Sequence, residues 1–320
     1  MADATFVRSD DPTLVTLASA ASIGELRQLS DGRAAYLSSF ESGTAGDQKT
    51  YMARQQVTIT KTTGVVILDG GKVFWDRSAR SATYRPNDDA DFYVGTCVGG
   101  ATSAASVVAV NLNIEPRYIV DLARDGFASI PVGTLALGGF GAIQNGGTTR
   151  FVLDSTSEAQ KLDALSKSGF STGSNAIVEM AFTVELDGGS DVDVSIGVAS
   201  ATHATDADSI AQHMLVHMDG DATAIKLQSK DGTTTVAAAD TTKTYTTGTT
   251  ATVRKEIWFD FSDPADVQAY VDGVNVLPST VFNVSAGAST WKLLAHIEKT
   301  SGTNTHKIDI DWLRVRLKEQ

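Results

Sequence analysis

Apolar and polar side chains alternate along the second half of the chain. Between Val178 and Leu186 the apolar positions are Val178, Met180, Phe182, Val184 and Leu186, with Glu179, Thr183 and Glu185 between them. A two-residue period is that of a strand with one face on a core. Val192, Val194, Ile196 and Val198 repeat it after Gly188-Gly189, which predicts a hairpin with Asp191 and Asp193 on its outer face. Further alternating runs lie at 214–218, 225–228, 253–261, 267–271 and 291–297. Between them, Asp219-Gly220, Asp231-Gly232 and Asp272-Gly273 can supply the positive φ angles of tight turns. In the last run Ile308 and Ile310 share one parity while Leu313, Val315 and Leu317 take the other, so a β-bulge or a change of sheet is expected near Asp311 to Leu313.

The first half is strand-like but less regular. Val57 and Ile59 alternate with threonines, Val65–Leu68 and Val73–Trp75 flank Asp69-Gly70-Gly71 as a hairpin would, and Phe92–Val98 and Val107–Leu112 are further apolar runs. A small β-barrel or sandwich follows. The expected organisation is an N-terminal arm with the first strands over 1–49, a small β domain over 50–132, a glycine-rich linker over 133–150 and a sandwich over 151–320. Ser155 and Glu158 have capping-box spacing, with helix formers from Ala159 to Ser166 and Gly169 as a stop; this segment reads as the one helix, or else as an irregular strand.

Composition supports an all-β chain: of 320 residues 42% are apolar and only 20% charged, with abundant Gly, Ser and Thr. A formal charge of −12 repels phosphate backbones and anionic lipid, so neither nucleic acid nor membrane is expected as a partner. The single cysteine, Cys97, sits in an apolar run and reads as a buried thiol. Met1-Ala2-Asp3-Ala4-Thr5 has neither the basic start nor the apolar stretch of a signal peptide, which points to synthesis in a cytoplasm.

The search for chemistry returns little. Sandwich glycosidases of the laminarinase type carry Glu-x-Asp-x-x-Glu along one strand; here Glu185-Leu186-Asp187 begins such a run, but Ser190 stands where the second Glu belongs. Asp206, Asp208, Asp219 and Asp221 lack the spacing of a twelve-residue calcium loop and read as turn caps. His213 and His217, four apart on a strand, are too widely spaced to chelate one ion. No nucleophile elbow or phosphate loop is present. The expectation is therefore a non-enzyme with no catalytic residue, no cofactor and no metal. Trp291 is in phase with Leu293 and Ile297 and belongs to the core, whereas Trp258 and Tyr270 fall on the opposite parity from their apolar neighbours. The latter two are candidates for stacking on a sugar ring or filling a protein interface, unless the other sheet or a loop covers them.

Four segments resemble the concanavalin-like (laminin-G-like) sandwich: Phe151-Val152-Leu153-Asp154, Val178 to Val184, Ile257-Trp258-Phe259-Asp260-Phe261 with Ala269 to Gly273, and Ile308 to Val315. The resemblance implies an antiparallel jelly roll, a fold shared by lectins, adhesion modules, enzymes and viral coat parts. Val65 to Val73 and Asp91 to Gly99 running into Ala105–Val110 resemble the small β domains of tailed-phage capsid decoration and head-fibre proteins. That implies a virion protein that docks on the major capsid protein, self-associates as a trimer and projects its sandwich outward. The alternative is a carbohydrate-binding adhesin or tail-associated receptor binder that takes host-surface glycans through Trp258 and Tyr270.

Overall fold

The computed structural model describes residues 4–6, 12–38, 41–133, 141–145, 147–187, 191–203, 206–246, 253–287 and 290–318. The chain forms two compact units, residues 1–117 and 118–318. The strands of the first are β1 (Ala4–Phe6), β2 (Pro12–Thr16), β3 (Leu26–Gln28), β4 (Ala34–Leu37), β5 (Gln48–Met52), β6 (Gln56–Thr60), β7 (Lys72–Asp76), β8 (Ser81–Thr83), β9 (Phe92–Val98) and β10 (Val107–Leu112). They make one sheet in the order β1-β6-β10-β9-β7-β8 and another in the order β2-β5-β4-β3, with all the named strand pairs antiparallel. The hairpin expected around Asp69-Gly70-Gly71 does not form. Ile67 pairs with Ala101 and the Gly70 N–H donates to the Cys97 carbonyl, so the turn closes on β9 instead of folding back along β7. Cys97 is buried, as its apolar run predicts.

The second unit contains β11 (Tyr118–Asp121), a single helical turn α1 (Leu122–Asp125), β12 (Phe127–Val132), β13 (Gly141–Asn145), β14 (Thr148–Leu153), β15 (Gln160–Phe170), β16 (Ala176–Leu186), β17 (Val192–Ala199), β18 (His213–Asp219), β19 (Ala224–Lys230), β20 (Thr235–Thr244), β21 (Lys255–Asp260), β22 (Gln268–Val271), β23 (Val274–Val276), β24 (Trp291–Lys299) and β25 (His306–Leu317). A seven-stranded sheet runs β12-β15-β24-β17-β18-β19-β20. An eight-stranded sheet runs β13-β14-β25-β16-β21-β22-β23, with β11 also on β25. The inner faces share one core built from the alternating positions, Phe182, Phe259, Leu313 and Val315 from one sheet and Val194, Val216, Trp291 and Ile297 from the other. Burying this much apolar area, at about 25 cal/mol per Å², is what holds the two sheets together.

The parity change near the C-terminus is a bulge: Ala181 pairs with Trp312 and Phe182 with Ile310, leaving Asp311 unpaired. Asp272 and Gly273, at φ 49° and 75°, turn β22 into β23 as expected.

Two expectations are corrected. Residues 133–150 are not a linker, because the chain divides at 117/118 and β12, β13 and β14 already belong to the sandwich, paired with β15, β14 and β25. Gly147, at φ 97°, turns between β13 and β14; Gly138, Gly139, Phe140 and Gly146 lie outside the described residues, as do Gly188, Gly189 and Ser190. The segment from Gln160 is a strand rather than a helix. Its ladders to β12 and β24 place Leu162 and Ala164 in the core, and that tertiary pairing outweighs local helix propensity.

Candidate functional site

On the seven-stranded sheet, the residues between the core positions project from the outer face. The ladders put them in register. In one row Asp163 of β15 pairs with His296 of β24, His296 with Ser195 of β17, Ser195 with His217 of β18, and His217 with Lys226 of β19. In the next row Lys161 pairs with Glu298, Glu298 with Asp193, and Asp193 with Asp219. On the far side lies an apolar row of Leu165, Leu294 and Leu215, onto which Ala207 and Ile210 of the 200–212 connection pack. Two polar rows thus cross the sheet beside an apolar step.

The first row is sunk except at its Lys226 end, and the second is partly open beyond the buried Lys161. Asp163, His296 and Ser195 are all buried, and the side chains of Glu298, Asp219 and Lys226 are 14%, 22% and 28% exposed. Nε2 of His217 lies 2.6 Å from Asp219 Oδ1 and its Nδ1 3.4 Å from Ser195 Oγ, while Lys226 donates to the other Asp219 oxygen. Burial pushes the Asp193 carboxyl up to about 6, with Asp219 and Glu298 adding to the rise and His217 opposing it. Burial acts to lower His296, but the carboxylates on either side, Asp163 at 3.7 Å and Glu298 at 3.3 Å, outweigh it and raise the imidazole to about 9. Neither ring nitrogen of His296 makes an aligned hydrogen bond, nor does Asp163 Oδ1.

Of this face the sequence placed Asp193 on an outer surface and otherwise offered only turn caps and a histidine pair. The available signal was His217-x-Asp219 in one alternating run and Asp193 in its neighbour. Three of the four aspartates weighed for calcium have separate duties: Asp206 caps a short turn by accepting from the Asp208 N–H, Asp208 accepts from Gln228, and Asp219 pairs with His217 and Lys226.

Trp258 and Tyr270 are cross-strand partners on the outer face of the eight-stranded sheet, their ring centroids 6.2 Å apart and tilted by 42°. Trp258 is only 8% exposed and Tyr270 is half-buried. Around them the face is cross-braced by charge. Glu179 takes Arg316 at 2.6 Å, Arg314 at 3.1 Å and the Tyr118 hydroxyl at 3.0 Å. The guanidiniums of Arg254 and Arg314 lie 4.1 and 4.5 Å from the centre of the Trp312 ring. Burial works to raise the Glu179 carboxyl, but the two arginines overcome it and hold it below the usual carboxylate range.

No family model matches the chain and no curated protein matches it. Solved structures similar to it include the Emp46p carbohydrate recognition domain in its potassium-bound form, at 11% identity and TM-score 0.40, covering 60% of this chain and 89% of that one. Others are a glycoside hydrolase family 16 endo-glucanase from Bacteroides ovatus (8% identity, TM-score 0.39, 58% and 94% covered) and the structure titled for endo-acting O-glycanases of the human gut microbiota (11%, 0.40, 57% and 84%). Glycoside hydrolases stand among these neighbours, against the expectation that the chain is not an enzyme; at these identities and TM-scores the likeness is one of fold and gives the chain no activity. That expectation came from seeking acids along one strand, whereas this sheet assembles Asp163, Asp193, Asp219 and Glu298 from four strands, an arrangement no linear motif displays.

Proposed function

We propose that the sandwich is a carbohydrate-binding domain and that the glycan lies across the outer face of its seven-stranded sheet. The observation that carries this reading is the pair of polar rows. Glu298, Asp193, Asp219 and Lys226 offer partly exposed acceptors and a donor in register across adjacent strands, the density of hydrogen-bonding groups that a polyhydroxyl ligand requires. The apolar step of Leu215 and Leu294, buried beneath Ala207 and Ile210, bounds the polar rows on one side. The intact chain, screened on a glycan array, should give a signal that falls at least about tenfold in Glu298→Gln and in Lys226→Ala and persists in Trp258→Ala. A blank array, or a signal lost only with Trp258 or Tyr270, would move the site or end the reading.

A second reading concerns the first unit. We propose for it, on the resemblance of Val65 to Val73 and of Asp91 to Val110 to capsid decoration proteins and on its being a compact unit of its own, a docking module bound to the major capsid protein as a trimer. Such a protein stabilises the shell by binding only its assembled form. Imaging of purified virions tests it, and a chain absent from the particles would end it.

A further inference from the structure

Asp193, His217 and Asp219 bring two carboxylates and an imidazole together such that one ligand atom from each lies within 4.8 Å of the others. Three features make this more than a crowd of surface acids. First, Asp193 and Asp219 are direct cross-strand partners, an arrangement of like charges that costs stability unless something positive lies between them. Lys226 takes Oδ2 of Asp219 and leaves Oδ1 turned to His217.

Second, the imidazole is held from behind. His217 points Nε2 at the acids, while Ser195 Oγ at 3.4 Å and Asp208 Oδ1 at 3.6 Å attend its Nδ1. A metal-ligating histidine is characteristically oriented through its other ring nitrogen in this way. Third, His296 is 1% exposed, neither of its ring nitrogens is in a hydrogen bond, and its Nε2 faces Glu298, the other cross-strand partner of Asp193. His296, ion-paired to Asp163 and Glu298, holds Glu298 as a fourth carboxylate beside Asp193.

We propose that Asp193, His217 and Asp219 bind a divalent first-row transition cation of the zinc or manganese kind, with Glu298 as the next available carboxylate. The imidazole decides the class, since calcium and magnesium prefer all-oxygen shells and a nitrogen with carboxylates suits the transition ions. Three protein donors leave coordination positions open to water or to a further ligand. Donors at about 2.0–2.2 Å from one tetrahedral ion stand about 3.3–3.6 Å apart, so the ion needs side-chain rotations that separate His217 Nε2 from Asp219 Oδ1, now 2.6 Å apart, within a cluster whose donor atoms already lie within 4.8 Å of one another.

The intact chain, stripped with EDTA, is titrated calorimetrically with zinc, manganese and calcium chlorides in turn. Zinc or manganese should saturate at one ion per chain, and calcium should bind at least about tenfold more weakly. Pulsed electron paramagnetic resonance of the manganese-loaded chain should show nitrogen coupling from one imidazole, a readout that needs no variant. Asp193→Asn and His217→Gln should each weaken binding by at least about tenfold, and His217→Gln should remove the nitrogen coupling. Circular dichroism of the metal-free variants confirms their fold. No saturable binding below about 1 mM, a preference for calcium, or binding that survives both substitutions would overturn the proposal. The titration uses metal alone, so its failure leaves the glycan reading standing, and a blank glycan array leaves the metal site standing.

Discussion

The two outer faces of the sandwich solve the same problem in opposite ways. On the eight-stranded sheet acids meet bases: Glu179 lies against Arg314 and Arg316, Asp309 against Arg150, Glu185 against Lys307 and Asp260 against Lys318. On the seven-stranded sheet Asp193 meets Asp219 and Glu298, and a histidine is wedged between Asp163 and Glu298. A lattice of satisfied pairs stabilises and has nothing left to offer a ligand. A face whose acids lean on one another holds unspent binding capacity, and functional sites are where such unresolved charge collects.

If the eight-stranded face is structural, breaking its centre should do the most damage. Glu179→Gln removes the charge that Arg316, 2% exposed, depends on. The loss should be about 3–5 kcal/mol in urea unfolding, the cost of removing one partner from a buried ion pair. Trp258→Ala comes next, at about 3 kcal/mol for a large buried aromatic, with glycan binding by the folded fraction unchanged. A drop under about 1 kcal/mol in either variant would mean that this face is not the scaffold argued for.

The faces should also part company in pH. His296 is raised from an ordinary 6.5 to about 9 by Asp163 and Glu298. Its contribution is therefore complete below 6.5 and lost as pH rises through about 9, on the order of 3 kcal/mol. Glu179 is lowered from 4.5, so its contribution is complete above that value and lost as pH falls through the depressed one. Unfolding free energies measured from pH 2 to 10 should decline at both ends. His296→Gln should flatten the alkaline limb and leave the acid limb alone; an unchanged alkaline limb would remove His296 from the account.

Much of the fold was legible in the sequence because a half-buried strand writes itself as alternation. β16, β17 and β24 were readable from Val178, Val192 and Trp291 onward, and the parity slip between Ile310 and Leu313 located the bulge at Asp311. The misreadings fall where local chemistry and tertiary pairing disagree. Capping-box spacing at Ser155 and Glu158 suggested a helix, but β15 lies between β12 and β24. Glycines after Val132 suggested a linker, but β13 and β14 are strands of the eight-stranded sheet. The site was least legible of all. Asp163, Asp193, Asp219 and Glu298 are spread over 136 positions of sequence (163 to 298, counted inclusively) and become neighbours only through strand register. Parity did place Trp258 and Tyr270 on an outer face, yet parity cannot tell a platform from a side chain packed among arginines and carboxylates.

The smallest effect bears most directly on which face is unfinished. Asp193 is raised from 3.8 to about 6, so the fold favours its neutral form; that preference stabilises fully below 3.8 and is lost as pH rises through about 6. At neutral pH the ionised carboxyl opposes Asp219 across the ladder. Asp193→Asn keeps the shape and removes the conflict. In EDTA at pH 7 it should be more stable than the parent chain by up to about 1 kcal/mol, a figure discounted for the solvent that still reaches the carboxyl. At pH 4 the difference should vanish, because Asp193 is then mostly protonated in the parent as well. Paired denaturant curves at the two pH values settle the point. A variant less stable at pH 7 would mean that Asp193 is already satisfied there, and the contrast between the two faces would lose its chemical basis.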